Sequence, residues 1–151
     1  MVEHFLDLSQ RILKFNPINK NDLIIDIGSN DGTLLGCFKS LEYVNVLGVD
    51  PADVIAAEAN QNGIPTINAF MNVETAEKII NEKGKASVIT ANNVYAHVDD
   101  MSGLTQAIKN VMTEDGIFVF EVSYLLDVVE KMLIGTISVS YTHLRAHETR
   151  G

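Results

Sequence analysis

The chain has 151 residues, 46% of them hydrophobic, which is one domain's worth of core and leaves no room for a second independent domain. Its formal net charge is −9, with no basic cluster before the last few residues, which argues against phosphate-led binding of nucleic acid or of an anionic membrane. Cys37 is the single cysteine, so neither an intrachain disulfide nor a cysteine-based zinc cluster is expected. No stretch approaches the ~20 apolar residues of a membrane span and no signal peptide is visible, so the expected compartment is the cytoplasm.

Val2 to Phe15 carries Phe5, Leu8, Ile12 and Phe15 at helical spacing and stops before Asn16-Pro17, as a covering helix does. Leu23-Ile24-Ile25 and Ile27 form an apolar run too continuous for a half-exposed strand, which suits a central parallel strand covered on both faces. A glycine loop follows, and from Thr33 the spacing of Leu34, Leu35, Phe38 and Leu41 predicts a helix with Cys37 in its core. Val46 to Val49 reads as a second buried strand. Ala52 to Asn62 reads as an alanine-rich helix stopped by Gly63. Thr66 to Asn68 is a weak third strand, and Val73 to Lys83 a helix ended by Gly84. Val88 to Ala91 is the fourth strand, Asn92 to Asp100 a loop, and Met101 to Val111 a helix. Gly116 opens a fifth strand, Ile117 to Val122, and Leu125 to Leu133 is helical again. Five βα units without a repeat predict an α/β fold: a Rossmann-like, doubly wound, mostly parallel sheet with helices on both faces and right-handed crossovers, truncated after the fifth strand and its helix.

In such a sheet the ligand lies outside the carboxyl ends of the strands, so five short stretches carry the functional argument. The first is Asp26-Ile27-Gly28-Ser29-Asn30-Asp31-Gly32. Gly28 and Gly32 permit positive φ and close backbone approach, while Ser29, Asn30 and Asp31 are turn formers. The second is Asp50-Pro51, eighteen positions after Gly32, close to the ~20-residue spacing of a carboxylate that holds ribose hydroxyls. The loop is not G-x-G-x-x-G, and the carboxylates beside it would repel a pyrophosphate, which favours a cationic ligand over NAD.

Here the sequence resembles the class I S-adenosylmethionine-dependent methyltransferases, whose first motif, D-x-G-x-x-x-G, is matched by Asp26, Gly28 and Gly32. The resemblance implies S-adenosylmethionine as cofactor. Gly28 would pass its aminocarboxypropyl arm, Asp50 would hold its ribose and Phe70 would pack near its adenine. Asn92 or Asn93 would offer an amide or a neighbouring carbonyl to the methionine end. Asp31 and the loop residues Ser29 and Asn30 belong to the same cradle. Phe70 has an equal claim to being core.

Further along, the resemblance narrows to the sugar C-methyltransferases, which act on nucleotide-linked keto-sugars. Their patterns look like DIGSNDGTLL, GVDP, NNVxAHxDD and FExxYL, matched here by residues 26–35, 48–51, 92–100 and 120–125 in that order. The implied substrate is a small nucleotide-linked deoxy-keto-sugar. Methylating carbon requires removal of a proton next to a carbonyl. His97 is the one side chain near the inferred cleft whose ordinary pKa suits a base at neutral pH. The resemblance gives His97 that role or the stabilising of the enolate; the other reading is a loop histidine capping the next helix. Glu121 and Tyr124 read either as groups that orient His97 or a sugar hydroxyl, or as ordinary strand-end polar residues.

The family also carries a cysteine-rich zinc-binding region ahead of this domain and a Y-H-E-H motif with a further domain behind it. Zinc is therefore expected only in that preceding region, and no metal site is assigned in this chain. Residues 1–137 are expected to form the incomplete cofactor-binding domain and to turn over poorly or not at all by themselves. Residues 138–151 break the α/β rhythm, and Val139 to Thr149 resembles the translation of a sequencing-library adapter end. On that reading the i, i+4 pair His143 and His147 is not a metal site. Three other functions stay open: methyl transfer to oxygen or nitrogen of another small molecule, an NAD-binding oxidoreductase, and a noncatalytic cofactor-binding fragment.

Overall fold

The structure is a computed structural model that describes residues 2–92 and 100–121, with the side chains of Asn92 and Glu121 outside the description. The elements run α1 (Val2–Phe15), β1 (Leu23–Ile27), α2 (Thr33–Ser40), β2 (Val46–Val49), α3 (Asp53–Gln61) and β3 (Thr66–Ile67). They continue with α4 (Val73–Lys83), β4 (Ala86–Asn92), α5 (Met101–Val111) and β5 (Met112–Glu121). All neighbouring strands pair in parallel in the order β3-β2-β1-β4-β5, which makes β1 the centre and puts the chain reversal between β1 and β4. That reversal is the topological switch point, the place where open α/β sheets bind their ligands, outside the carboxyl ends of the strands.

Burial follows from the strand sequences. Every residue of β1 and β2 is buried, as a strand covered on both faces requires. Alternate residues serve opposite layers. Leu23, Ile25 and Ile27 pack with Leu47, Val49 and Ile89 against α4 and α5, through Ala76, Ile79, Leu104 and Ile108. Ile24, Val46 and Val88 pack on the other face against Leu8 and Ile12 of α1, Leu34, Leu35 and Phe38 of α2 and Ala59 of α3. Ile24 and Ile25 are fully buried, and each such side chain contributes roughly 1.5–3 kcal/mol relative to exposure. Cys37 is buried in α2, and desolvation pushes its thiol up in pKa, as suits a core cysteine.

Several boundaries differ from the sequence reading; α3 is one residue shorter at each end and β3 stops at Ile67. β4 begins at Ala86 rather than Val88, because Ala86 pairs with both Leu23 and Met112 across register shifts on either side. β5 begins at Met112 rather than near Gly116, for the same pairing with Ala86; Val88 then meets Ile117 and the intervening residues are taken up in the irregularity. Asn92, expected to start a loop, ends β4 opposite Glu121. Among the described residues β5 lies at one edge of the sheet. Residues 93–99, the expected helix Leu125 to Leu133 and the stretch 138–151 lie outside the described residues. No helix among the described residues is long and apolar enough to cross a membrane.

Candidate functional site

The loop after β1 is docked on the end of β2. Gly28 and Asn30 take positive φ, 67° and 58°, so the chain turns sharply and crosses above β2. The Val49 carbonyl accepts the Gly28 N–H at 2.7 Å and the Ser29 N–H at 3.4 Å. The Asn30 N–H is donated to Oδ2 of Asp50 at 2.9 Å, and that bond holds a non-glycine residue in the left-handed region. Gly32 closes the loop at φ 83°, its N–H on the Ser29 carbonyl at 3.0 Å. A Cβ on Gly32 would meet the Ile64 side chain at 2.8 Å, so space as well as conformation demands glycine there.

Asp50 joins several segments. Besides Asn30, its carboxylate accepts the Ala52 N–H through Oδ1 at 2.9 Å, a turn favoured because the intervening Pro51 has no N–H of its own. Its backbone N–H reaches the Ile67 carbonyl at 3.0 Å and its carbonyl accepts the Ala69 N–H at 3.2 Å, which ties the end of β3 to the same point. Asp50 is 8% exposed. An ionised carboxylate has about four acceptor sites, so two remain for a diol after Asn30 and Ala52 are served.

Asp26 stands differently. It is buried at the end of β1 and receives the Thr90 hydroxyl from β4 on Oδ1 at 2.7 Å. Burial pushes its pKa up to about 7, the Thr90 bond pulls it down and the charge of Asp50 adds to the rise. Asp31 is exposed and its Oδ1 accepts the backbone N–H of Thr33 at 3.0 Å and its hydroxyl at 2.5 Å, so Asp31 caps the start of α2. Phe70 is 72% exposed, which removes the core reading and leaves its ring available beside the Asp50 segment. Pro51 is exposed on the same edge, and Asn68 Nδ2 holds Asp53 Oδ1 at 2.9 Å behind it.

The structure thus brings together Asp26, Gly28, Ser29, Asn30, Gly32, Asp50 and Pro51. Asp31 is turned to helix capping, and Asn92 reaches the same sheet edge through its backbone at the end of β4. Asn93, His97 and Tyr124 lie outside the described residues, as do the side chains of Asn92 and Glu121. Two participants escape sequence reasoning. Thr90 is one more polar residue in a strand until register sets it opposite Asp26. Gly48, opposite Asp26 on the other side, carries a readable signal, since glycine inside a strand marks close approach of other chain.

The edge fits S-adenosylmethionine by its own chemistry. A left-handed cradle lets a ligand reach the main chain, an anchored carboxylate with spare acceptor sites suits a ribose, and an acidic edge favours a sulfonium over a pyrophosphate.

Comparison with known proteins agrees with this architecture. A C-methyltransferase, NovU, from Streptomyces niveus is 29% identical over 137 residues, covering 91% of this chain and 32% of NovU. A ubiquinone biosynthesis O-methyltransferase from Colwellia psychrerythraea is 30% identical over 122 residues, 73% of this chain and 48% of that protein. The chain therefore spans a third to a half of these relatives. Among solved structures, CalS10 from Micromonospora echinaspora, an amino pentose methyltransferase solved with S-adenosylmethionine bound, superposes with a TM-score of 0.63 at 17% identity. That match covers 80% of this chain and 50% of CalS10. A family model described as a methyltransferase domain matches residues 2–147, and the chain belongs to that family.

Proposed function

We propose that this chain is the donor-binding domain of an S-adenosylmethionine-dependent methyltransferase that methylates a carbon next to a carbonyl in a nucleotide-linked deoxy-keto-sugar. The observation that carries the donor half is the docking of the Gly28 to Gly32 loop on Asp50, which joins a main-chain cradle to a carboxylate with acceptor sites to spare. Gly28 and Gly32 line the passage for the aminocarboxypropyl arm, Asp50 accepts the ribose hydroxyls, exposed Phe70 covers the adenine and Asn92 or Asn93 meets the methionine end. When bound, the donor supplies a methyl group on a sulfonium, which is electrophilic without further activation. His97 takes the proton from the carbon beside the carbonyl and leaves an enolate on the sugar, with Glu121 and Tyr124 orienting His97 or a sugar hydroxyl. What the chain contributes to the transfer is alignment of carbon with methyl.

The C-methyltransferase named among the relatives supports carbon as the acceptor. The O-methyltransferase among them supports a second reading, in which the same domain serves oxygen or nitrogen. Two measurements separate the possibilities. Calorimetry should give binding heat with S-adenosylhomocysteine and none with NADH; the reverse overturns the donor assignment. Solvent deuterium should enter the sugar at the carbon beside the carbonyl with the unsubstituted protein and not with His97→Ala. Exchange that survives the substitution removes His97 as the base, and methyl transfer without any exchange by the unsubstituted protein favours oxygen or nitrogen.

A further inference from the structure

Gly48 and the three residues around it define a contact that the donor-binding reading does not use. Register places Asp26, Gly48, Thr66 and Thr90 side by side across four strands, so all four present to one face, the face of α1, α2 and α3. The Ser29 side chain comes down onto this row. A Cβ built on Gly48 would collide with Ser29 Oγ and would lie 2.9 Å from both Ser29 Cβ and Thr66 Oγ1. Ser29 is 4% exposed, and its hydroxyl has no hydrogen-bond partner among the described residues. What seats Ser29 is therefore the missing side chain of Gly48. The two residues that follow Gly48 grip the same loop, Val49 through its carbonyl on Gly28 and Ser29 and Asp50 through its carboxylate on Asn30. Three consecutive residues, the last two of β2 and Asp50 just beyond it, thus fix three consecutive residues of the loop, the first by space and the next two by hydrogen bonds.

We propose that Gly48 is a positioning residue for donor binding: by lacking a side chain it sets the depth at which Ser29 seats, and so the height of the Gly28 to Gly32 cradle above the sheet. A methyl group at 48 cannot be absorbed cheaply. Thr66 blocks one side with a hydroxyl already donated to the Ile64 carbonyl at 2.9 Å, and Ser29 can leave only by lifting the loop away from Val49 and Asp50. The inference rests on the donor-binding reading proposed above.

The test is a residue swap, read by calorimetric affinity for S-adenosylhomocysteine and by thermal unfolding of the whole chain. G48A should weaken binding roughly thirtyfold or more, S29G at most about fivefold, and S29G/G48A, which moves one small group from loop to strand, should return to within about fivefold of S29G. An additive double variant, no tighter than G48A, overturns the proposal. So does a G48A protein that melts earlier but binds as tightly as the unsubstituted chain, since that is a packing role alone. If G48A does not fold, S29V presses on the same contact from the loop and should show the same loss of affinity; binding at the unsubstituted level by S29V overturns the proposal. Absence of heat from the unsubstituted chain removes the donor reading itself, and the role of Gly48 with it.

Discussion

The ends of β1 and β2 each carry one buried aspartate, Asp26 and Asp50, on neighbouring strands and at the same carboxyl edge of the sheet, yet they are held in opposite ways. Asp50 accepts two backbone N–H groups, one from the glycine loop and one from its own turn. Those donors are fixed by the chain and stabilise negative charge where it stands. Asp26 has a single hydroxyl from Thr90, and burial beside the charge of Asp50 raises its pKa to about 7. The difference shows what decides the state of a strand-end carboxylate. Peptide donors aimed at it make it a brace between loop and strand, while burial that a lone hydroxyl only partly offsets makes it a group that holds its proton up to neutrality.

The largest expected effect comes from removing the charge of Asp26. Its folded pKa lies above the ordinary 3.8, so the native state binds more protons than the unfolded state between about pH 4 and pH 7. Its contribution to stability is full below pH 4 and is lost as pH rises to 7. Asp26→Asn keeps an oxygen for the Thr90 hydroxyl and carries no charge at any pH. The variant should match the unsubstituted protein near pH 4 and pull ahead progressively to pH 8, with a ceiling of about 4 kcal/mol from the size of the shift. Urea unfolding across that range measures the gap. A constant difference at all pH values would mean that Asp26 is not the titrating acid.

Asp50→Asn should run the other way. An amide offers one acceptor oxygen where the turn needs two, and its NH2 group then faces a backbone N–H of Asn30 or Ala52. One charge-assisted bond is lost and one donor is opposed, a cost of about 2–3 kcal/mol in unfolding free energy. The glycine loop is released with it, so affinity for S-adenosylhomocysteine should fall more than tenfold. If both Asn variants lose stability equally at pH 8, the contrast between the two acids is wrong.

Most of the scaffold behind these two residues can be read from the sequence. The continuous apolar runs of β1 and β2, the 3.6-residue spacing of α1 and α5, and the glycines after α3 and α4 each have a local physical cause, and those elements form where expected. The boundaries that shift, Ala86 and Met112, are set by pairing to strands far away in the chain, which no local pattern records. The site divides in the same way. Gly28, Gly32 and Asp50 announce themselves by turn chemistry and spacing. Thr90 becomes a partner of Asp26 only through register, and only its 72% exposure takes Phe70 out of the core, because a strand-end aromatic is as readily core as not. Asp31, in the middle of the motif, caps α2 through Thr33, a use its type and position allow but do not distinguish from ligand binding.

The smallest expected effect sharpens the comparison from a third residue. Ser29 lies between the two acids above the same row of the sheet, and its hydroxyl is buried with neither the peptide donors that serve Asp50 nor the Thr90 contact that serves Asp26. A buried hydroxyl without a partner opposes folding, whereas a methyl group of similar size in the same seat does not. Ser29→Ala keeps the Cβ that rests on Gly48 and removes only the orphan oxygen. Unfolding free energy should therefore stay level or rise by up to about 1 kcal/mol. A loss of more than about 1 kcal/mol would show instead that the hydroxyl is bonded in solution and that the loop is held by a polar link as well as by the fit of Ser29 against a bare glycine.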